Sequence, residues 1–240
     1  RWLFLLGLLQ SFEFMGKIKI FNMGKIKLAL IVCTCLMLSC CSIPRHIKNA
    51  FTNCYANTYT GLDTLINIDG YYGEMIFYDN GMAIRTIYHL RESDCPKYSS
   101  YMDEVIVNPH SKCAKKFYNS IDCGSYVIYG DTIKVQMISD YNSHTGWDSW
   151  GKWYKIVDKN ILTILENFSL TTNKEEREHS GEYYKSINPS PGVVSFVPMP
   201  FKPTLGRFWI LKEKWFWCNE QDWENYMKHI EQLKKQFKKK

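Results

Sequence analysis

The chain has 240 residues, with 30 lysines and arginines against 24 aspartates and glutamates, and a formal net charge of +6. Residues 1–40 hold five of the basic residues and one acidic residue, so they carry +4 and residues 41–240 carry only +2. A surplus that small excludes the electrostatic footprint of a nucleic-acid-binding protein. The 200 residues after position 40 are enough to bury one well-filled hydrophobic core.

The most informative segment lies near the start of the chain. Met23 begins a basic stretch, Met-Gly-Lys-Ile-Lys, which is followed by an apolar run over 28–38 and then by Ser39-Cys40-Cys41. This order is typical of a secretory signal peptide. The run over 28–41 has 14 residues, whereas a membrane-spanning helix needs about 20. We therefore predict a cleaved signal over 23–40, with an uncleaved membrane anchor as the alternative.

The end of this segment resembles the lipobox of bacterial lipoproteins. Cys41 has Leu38 at the third position before it, where the lipobox usually has leucine, and Cys40 is the second candidate because Ser39 precedes it. The resemblance implies a diacylglyceryl thioether on that cysteine and an acyl chain on its new amine, and several chains anchor a protein firmly. Residues 42–45 contain no acid, which by the same resemblance implies a lipid anchor in the outer membrane.

Three further divisions of the chain are predicted. Residues 1–22 are expected to be a non-native upstream extension, because Met15-Gly-Lys-Ile-Lys-Ile is nearly repeated at Met23. Residues 41–58 have no clear hydrophobic period and are expected to form the lipidated N-terminus and a tether. Residues 59–240 are expected to form a single domain that faces the periplasm.

From Gly70 onward the sequence is typical of antiparallel β-structure. Asn80-Gly81, Gly130-Asp131 and Lys159-Asn160 each separate two apolar or alternating runs. Short polar or glycine-containing connections of this kind are typical of hairpin turns, and Asn-Gly is the strongest such signal. We therefore predict three hairpins in one antiparallel sheet.

Individual strands are also visible. Over 132–138, three apolar residues alternate with polar ones, as expected for a strand with one buried face. A further strand is predicted at 193–197, with 208–211 and 215–217 pairing nearby.

Gly-x-aromatic triplets stand near the starts of several predicted strands, at Gly70, Gly124, Gly151 and Gly181. A glycine there permits a tight bend over which an aromatic ring packs. Over residues 70–211 this pattern resembles the lipocalin-like group of small barrels. The predicted fold is an all-β or β-rich antiparallel up-and-down barrel with a C-terminal amphipathic helix.

The C-terminal helix is predicted over 219–238. Asn219 is a suitable N-cap, and acidic residues follow it in the first turn. Six apolar residues lie on one stripe at spacings of three and four: Trp223, Tyr226, Met227, Ile230, Leu233 and Phe237. We expect this stripe to pack on the barrel; a stripe that binds a partner is the alternative.

Five cysteines follow the lipobox, and export would allow them to form disulfides. Cys113 and Cys123 are the closest pair in sequence and the candidate disulfide, with Cys95 as an alternative partner for either. Buried reduced thiols are the other interpretation. The sequence lacks the CxxC spacing that is typical of zinc and redox sites, so neither kind of site is predicted.

The sequence carries no recognisable catalytic or cofactor motif. It lacks a phosphate loop, H-E-x-x-H and G-x-S-x-G, and its six histidines show no metal-binding spacing. His144, Asp148 and Ser149 lie close together, but triad members normally come from separate elements. A polar hairpin loop explains the cluster better. We expect no cofactor, no metal and no enzymatic activity.

Tryptophans are the remaining candidates for a binding site. Trp147, Trp150, Trp153 and Trp209 are predicted to line a cavity if the barrel binds a small apolar ligand. The alternative is an interior filled by side chains. The expected function is a lipid-anchored, non-enzymatic binding or assembly protein of the envelope, whose partners are the membrane and a small apolar ligand or an envelope protein, with no nucleic acid. An envelope hydrolase and a structural accessory subunit are the alternatives.

We expect mass spectrometry of the mature protein to find an acylated N-terminal cysteine at Cys41, or else at Cys40. Cys41→Ser should abolish the acylation or move it to Cys40. Cys35→Ala, inside the apolar run, is the matched control and should leave the modified residue unchanged. A mature chain that retains residues 28–38 would contradict the prediction.

Overall fold

The computed structural model describes residues 43–85, 105, 108, 110–139, 147–171 and 192–238. Eight antiparallel strands form a closed barrel in which each strand pairs with its sequence neighbours and the last pairs with the first. The predicted antiparallel up-and-down barrel is confirmed. The strands are β1 (Gly70–Tyr72), β2 (Met75–Phe77), β3 (Met82–Arg85), β4 (Cys123–Tyr129), β5 (Thr132–Ser139), β6 (Asp148–Ile156), β7 (Ile161–Ser169) and β8 (Val193–Pro198).

Short helices accompany the barrel. The α-helices are α1 (Arg45–Ala50), α2 (Leu62–Leu65), α3 (Lys112–Ser120) and α4 (Glu220–Lys238), and 3-10 turns occupy Leu205–Arg207, Trp209–Lys212 and Lys214–Phe216. The predicted C-terminal helix is confirmed, and the Asn219 side chain accepts a hydrogen bond from the Gln221 backbone N–H at 2.8 Å. Within the described ranges, no helix is both long and apolar enough to cross a bilayer.

The three predicted hairpin turns are confirmed. Asn80-Gly81 lies between β2 and β3, Gly130-Asp131 between β4 and β5, and Lys159-Asn160 between β6 and β7. Gly81 has φ +90° and Gly130 has φ +59°. These left-handed conformations strain residues that have a Cβ, so glycine at these positions directly favours the turns.

Alternate residues of the strands fill the barrel interior. In β5, Ile133, Val135 and Met137 are fully buried, as their alternation predicts. They belong to one apolar cluster with residues from the other strands and from α2, including Leu62, Ile66, Tyr72, Met75, Phe77, Tyr126, Tyr154 and Leu162. Most of the interior is therefore occupied by the protein's own side chains.

β2 and β3 are buried on both faces, because a second apolar layer lies outside the barrel. Ile76, Met82 and Ile84 alternate with the inward residues and are also fully buried. Aromatic residues of the outer layer contact one another in pairs; Tyr78 lies 6.2 Å from Phe208 between ring centroids. Because both faces of these strands are covered, their sequences are continuous apolar runs and do not alternate between apolar and polar residues.

The segment predicted as a tether is part of the fold from residue 45 onward, so that prediction is wrong for 45–58. The Tyr55 ring stacks on Phe216 with 5.3 Å between the ring centroids. The two segments of backbone are also joined by a hydrogen bond, in which the Tyr55 N–H donates to the Phe216 carbonyl at 2.8 Å. A disulfide joins Cys54 to Cys218. The segment lacks one regular period because only Arg45–Ala50 are helical, while residues 51–58 contact the outer layer as extended chain.

The predicted strands at 208–211 and 215–217 are wrong, because both stretches form 3-10 turns. Pro198, Pro200 and Pro203 precede them and cannot donate to a sheet ladder. Only Trp217 makes a bridge, a parallel one with Tyr55. Short apolar runs such as these do not distinguish a strand from a buried turn of helix.

Two residues of the apolar stripe of α4, Trp223 and Tyr226, pack on the stretch over 205–217 that contains the 3-10 turns, which we call the 3-10 segment. Tyr226 donates a hydrogen bond to the Gly206 carbonyl at 3.0 Å and its ring lies 5.4 Å from Trp217. The indole N–H of Trp223 donates to the Lys212 carbonyl at 3.1 Å. Packing of the stripe on the barrel was predicted, but Trp223 and Tyr226 contact the 3-10 segment instead.

The predicted disulfide between Cys113 and Cys123 is wrong. Cys123 is a free, buried cysteine in β4, where burial raises the pKa of its thiol well above the usual value. Cys113 is disulfide-bonded, but to another residue. Cys95, the alternative partner, lies outside the described residues. Proximity in sequence failed as a guide, because it does not decide which sulfurs meet in the fold; Cys113 lies on α3 and Cys123 is buried on β4.

Gly81→Val is expected to destabilise the protein by about 1–3 kcal/mol, because a β-branched residue resists φ +90°. A Cβ at this position would meet nothing closer than 3.7 Å, so the loss would come from backbone strain and not from a clash. Chemical denaturation measures the change. Gly206→Val, at a position with open space and no positive φ, is the control and should cost less. Equal losses would contradict the explanation.

Candidate functional site

One end of the barrel is closed by the chain between residues 60 and 67. The Thr60 N–H donates to the Asp79 carbonyl at 2.7 Å, and the Asn67 N–H donates to the Lys159 carbonyl at 2.9 Å. These bonds attach the segment to the β2–β3 and β6–β7 turns, on either side of the opening. Leu62 and Ile66 from this segment are fully buried in the interior cluster. We call this end the plugged end.

The opposite end holds a pocket of ≈250 Å³, which we call the barrel pocket. It is lined by residues from the β1–β2 turn and from β1, β6 and β8: Tyr72, Gly73, Glu74, Lys152, Tyr154 and Val194. The connections that follow Arg85, Ser139 and Thr171 also start at this end, and their middle portions lie outside the described residues.

Gly73 shapes one wall of the pocket. It is the first residue of a two-residue turn between the paired residues Tyr72 and Met75, and its φ is +59°. A turn of this kind needs a positive φ at that position. A Cβ on Gly73 would also lie 2.9 Å from Cγ1 of Val194. The glycine therefore serves both the turn and the close approach of β8, and it places Glu74 at the pocket.

Four charged side chains form a chain of ion pairs beside the pocket, which we call the charge chain: Lys152, Glu74, Arg85 and Asp122. Lys152 Nζ lies 2.9 Å from one carboxylate oxygen of Glu74, and Arg85 lies 2.9 Å from the other. Arg85 also reaches Asp122 at 3.4 Å. Each charge has an opposite partner, which is the condition under which charged groups tolerate burial.

Strand parity explains why these charges point inward. Lys152 is two residues before the interior Tyr154 on β6, and Arg85 is two residues after the interior Ala83 on β3. The guanidinium of Arg85 also lies 5.4 Å from the ring of Trp150. The charge chain thus lies at the end of the barrel interior that the apolar cluster leaves unfilled.

Burial and ion pairing oppose each other in the pKa values of this site. Burial raises the pKa of Glu74, but Lys152 and Arg85 outweigh it and the net pKa is lowered. Burial lowers the pKa of Arg85, but Glu74 and Asp122 outweigh it and the net pKa is raised. Burial holds the pKa of Tyr154 well above its usual value. At neutral pH Glu74 and Arg85 are therefore ionised and Tyr154 is a neutral hydroxyl.

The four tryptophans proposed from the sequence do not line the barrel pocket, so that prediction is wrong for this pocket. Trp150 faces the interior against Arg85. Trp153 is three residues further along β6, so its side chain points to the outer face of the barrel, where Lys134 Nζ lies 4.2 Å from the ring centroid. Trp147 and Trp209 contact each other at 5.3 Å, away from the pocket lining. A one-residue step along a strand reverses the face, so composition alone could not assign them.

The other sequence candidates also stay apart from the pocket. Asp148 and Ser149 open β6, and the Asp148 side chain accepts a hydrogen bond from the Ser149 N–H at 2.7 Å. His144 lies outside the described residues. In the part of the chain that the structure describes, no group of three His, Cys, Asp or Glu side chains is placed to hold a metal ion.

Glu74, Arg85 and Lys152 were not identified from the sequence. Arg85 closes an apolar strand and Lys152 stands at an inward position of β6, which are weak signals of a buried charge. A lysine among alternating residues is ordinarily assigned to the wet face. Only the strand register shows that Lys152 lies on the interior face of β6.

Glu74→Gln is expected to lower stability by about 1–3 kcal/mol at pH 7, because it removes the charge that pairs with two cations. The native pKa of Glu74 is depressed, so its contribution exists above the unfolded pKa of about 4.3 and is lost as pH falls through the native pKa. Denaturation between pH 7 and pH 3 should show the two proteins converging in acid.

Asp131→Asn is the matched control for Glu74→Gln. Asp131 pairs with Lys155 at 3.8 Å on the surface, with more than half of each side chain exposed. Exposed pairs contribute little, so this variant should change stability by less than about 1 kcal/mol. A Glu74→Gln loss that persists unchanged at pH 3 would contradict the electrostatic explanation.

Comparisons of this chain with protein families, with characterised proteins and with solved structures find no match.

Proposed function

We propose that this protein is a lipid-anchored, non-enzymatic protein of the bacterial envelope, attached to the outer membrane and facing the periplasm, which binds a small ligand in the barrel pocket. The observation that carries the proposal is the ≈250 Å³ pocket at one end of a barrel that is closed at the other end.

The form of the pocket supports binding. Eight-stranded barrels either fill with their own side chains or hold one small ligand. Here aromatic and aliphatic side chains fill the interior toward the plugged end, while Lys152 and Glu74 line the pocket beside the rings of Tyr72 and Tyr154. Apolar walls with a few converging polar groups are the usual form of a ligand site. Pockets for drug-sized ligands measure about 300–1,000 Å³, so the ligand is smaller.

The proposed location rests on the leader sequence and is supported by the disulfide between Cys54 and Cys218. Disulfides persist in oxidising compartments such as the bacterial periplasm and are rare in the cytosol. Cys113 is disulfide-bonded as well. Two oxidised cysteine pairs fit a protein that is exported before it folds.

The chemistry of the pocket favours binding over the alternative of an envelope hydrolase. A general acid or base works best when its pKa lies near the working pH. Two cations depress the pKa of Glu74, which keeps it ionised and suits it to fixing charge. None of the six lining residues is a histidine, serine or cysteine.

A structural accessory role is the second candidate, and one feature favours it. Met227, Ile230 and Leu233 on α4 are only partly buried, which leaves part of the apolar stripe accessible to another envelope protein. The pocket is the more specific feature because it combines apolar walls with converging polar groups, so ligand binding stands first.

Val194→Trp is expected to abolish ligand binding, because Val194 lines the barrel pocket and a larger side chain there would fill it. Val193→Trp is the matched control. Val193 is the preceding residue on β8, points to the opposite face and is 60% exposed. Calorimetry and thermal shift with a panel of small alkyl and aryl compounds, of all charge types, measure binding.

Binding should be saturable in the parent and in Val193→Trp and absent in Val194→Trp, with both variants folded. A parent that binds no compound of the panel would overturn the binding function and favour the accessory role. Equal binding by the two variants would show that the ligand occupies another site.

A further inference from the structure

We infer that the barrel pocket is specific for a compact carboxylate, whose anionic head lies between Lys152 Nζ and the hydroxyl of Tyr154 and whose apolar body lies against Tyr72 and Val194. This inference rests on the proposed binding function and names the chemical class of its ligand.

Among the described residues, the Tyr154 hydroxyl has no hydrogen-bond partner. Tyr154 is 1% exposed and lines the pocket, yet its hydroxyl makes no hydrogen bond within the described residues. Tyr72, the other tyrosine of the lining, differs because its hydroxyl donates to the Lys159 carbonyl at the plugged end. Buried tyrosine hydroxyls are normally hydrogen-bonded, so Tyr154 lacks the acceptor that a ligand would supply.

Lys152 offers further donors at the same place. Its ammonium group has three N–H bonds, and its one hydrogen bond in the described part of the chain goes to Glu74 at 2.9 Å. The side chain is only 11% exposed, so bulk water does not satisfy the remaining donors as it would at a surface. The ammonium also lies 5.8 Å from the ring centroid of Tyr154, and both side chains line the pocket.

The carboxylate of Glu74 does not exclude an anion. Its two oxygens are each paired, one with Lys152 and one with Arg85. Asp122 pairs with Arg85 and does not line the pocket. Arg85 Nε is in addition a buried donor that has no partner in the described ranges. In the described part of the chain, Arg85 Nε, the Tyr154 hydroxyl and the Lys152 ammonium thus have donor capacity left, and a carboxylate is an acceptor that carries no proton to compete with them.

The walls and volume restrict the rest of the ligand. The ring of Tyr72, the backbone of Gly73 and the methyl groups of Val194 form apolar surface. A volume of ≈250 Å³ admits a short alkyl or single-ring body and excludes larger amphiphiles. A cationic head group would be repelled by the ammonium of Lys152. A neutral head group would form no ion pair with it and would therefore bind more weakly than a carboxylate.

The test compares three probes of one length: octanoate, 1-octanol and octylammonium. Calorimetry on the parent at pH 7 should give octanoate an affinity about 10-fold or more above that of 1-octanol, the ratio expected from one hydrogen bond to a charged group. Octylammonium should bind more weakly than either.

Tyr154→Phe is the decisive variant. It removes a hydroxyl that makes no hydrogen bond to the residues the structure describes, so folding should be unaffected. Octanoate should bind about 10-fold more weakly to Tyr154→Phe, while 1-octanol, whose oxygen accepts only a neutral hydrogen bond, should lose less affinity. Lys152→Met should reduce the preference for octanoate further. Lys155→Met, an exposed lysine on the same strand, is the control and should change neither probe.

The outcomes separate the two proposals. If 1-octanol binds as tightly as octanoate, or if Tyr154→Phe retains the full preference for octanoate, the carboxylate inference is overturned while the binding function stands. If the parent binds none of the three probes and no compound of the wider panel, both are overturned. Tighter octanoate binding that is lost in Tyr154→Phe would support the inference.

Discussion

Closure of the barrel by pairing β1 with β8 is the constraint on which the other features depend. Three residue pairs join the two strands, Gly70 with Pro198, Tyr71 with Val197 and Tyr72 with Phe196. Gly70 makes the approach possible, because a Cβ there would lie 2.1 Å from the Val197 carbonyl oxygen and 2.6 Å from the Phe196 ring. Closure removes the sheet edges and fixes an interior that alternate residues of every strand must fill.

The interior divides into two parts with different chemistry. Toward the plugged end, Leu62 and Ile66 join the aromatic and aliphatic residues of the strands in one dry cluster. Toward the pocket, the charge chain takes the place of apolar side chains. Burying four charges costs free energy that their mutual attraction only partly offsets, so buried pairs are weak evidence of a stabilising role. Their position beside the barrel pocket supports the proposed ligand-binding function.

A second apolar layer lies outside the strands and joins distant parts of the chain. The disulfide between Cys54 and Cys218 links residues 164 apart in sequence, next to the bridge between Tyr55 and Trp217. A crosslink over so long a loop restricts the unfolded chain strongly. The segment over 45–58 is thereby held to the body of the protein, and the short strands β2 and β3 are buried on both faces.

The sequence by itself determined the antiparallel barrel, its three hairpin turns and the C-terminal helix, because these follow from local rules. Gly81 and Gly130 adopt positive φ, Ile133 and Val135 alternate with polar neighbours, and Asn219 caps a helix. Each of these signals lies within a few residues of the structure it predicts.

Only the tertiary structure decided the cysteine partners, the faces of the tryptophans and the site. Trp150 and Trp153 are three residues apart on one strand yet lie on opposite faces, and Cys54 pairs with a residue 164 positions away. Glu74, Arg85 and Lys152 come from a turn and two strands that are not adjacent in the barrel order. Contacts between such distant residues depend on strand register and barrel closure, which are properties of the whole sheet and are not encoded in any short stretch of sequence.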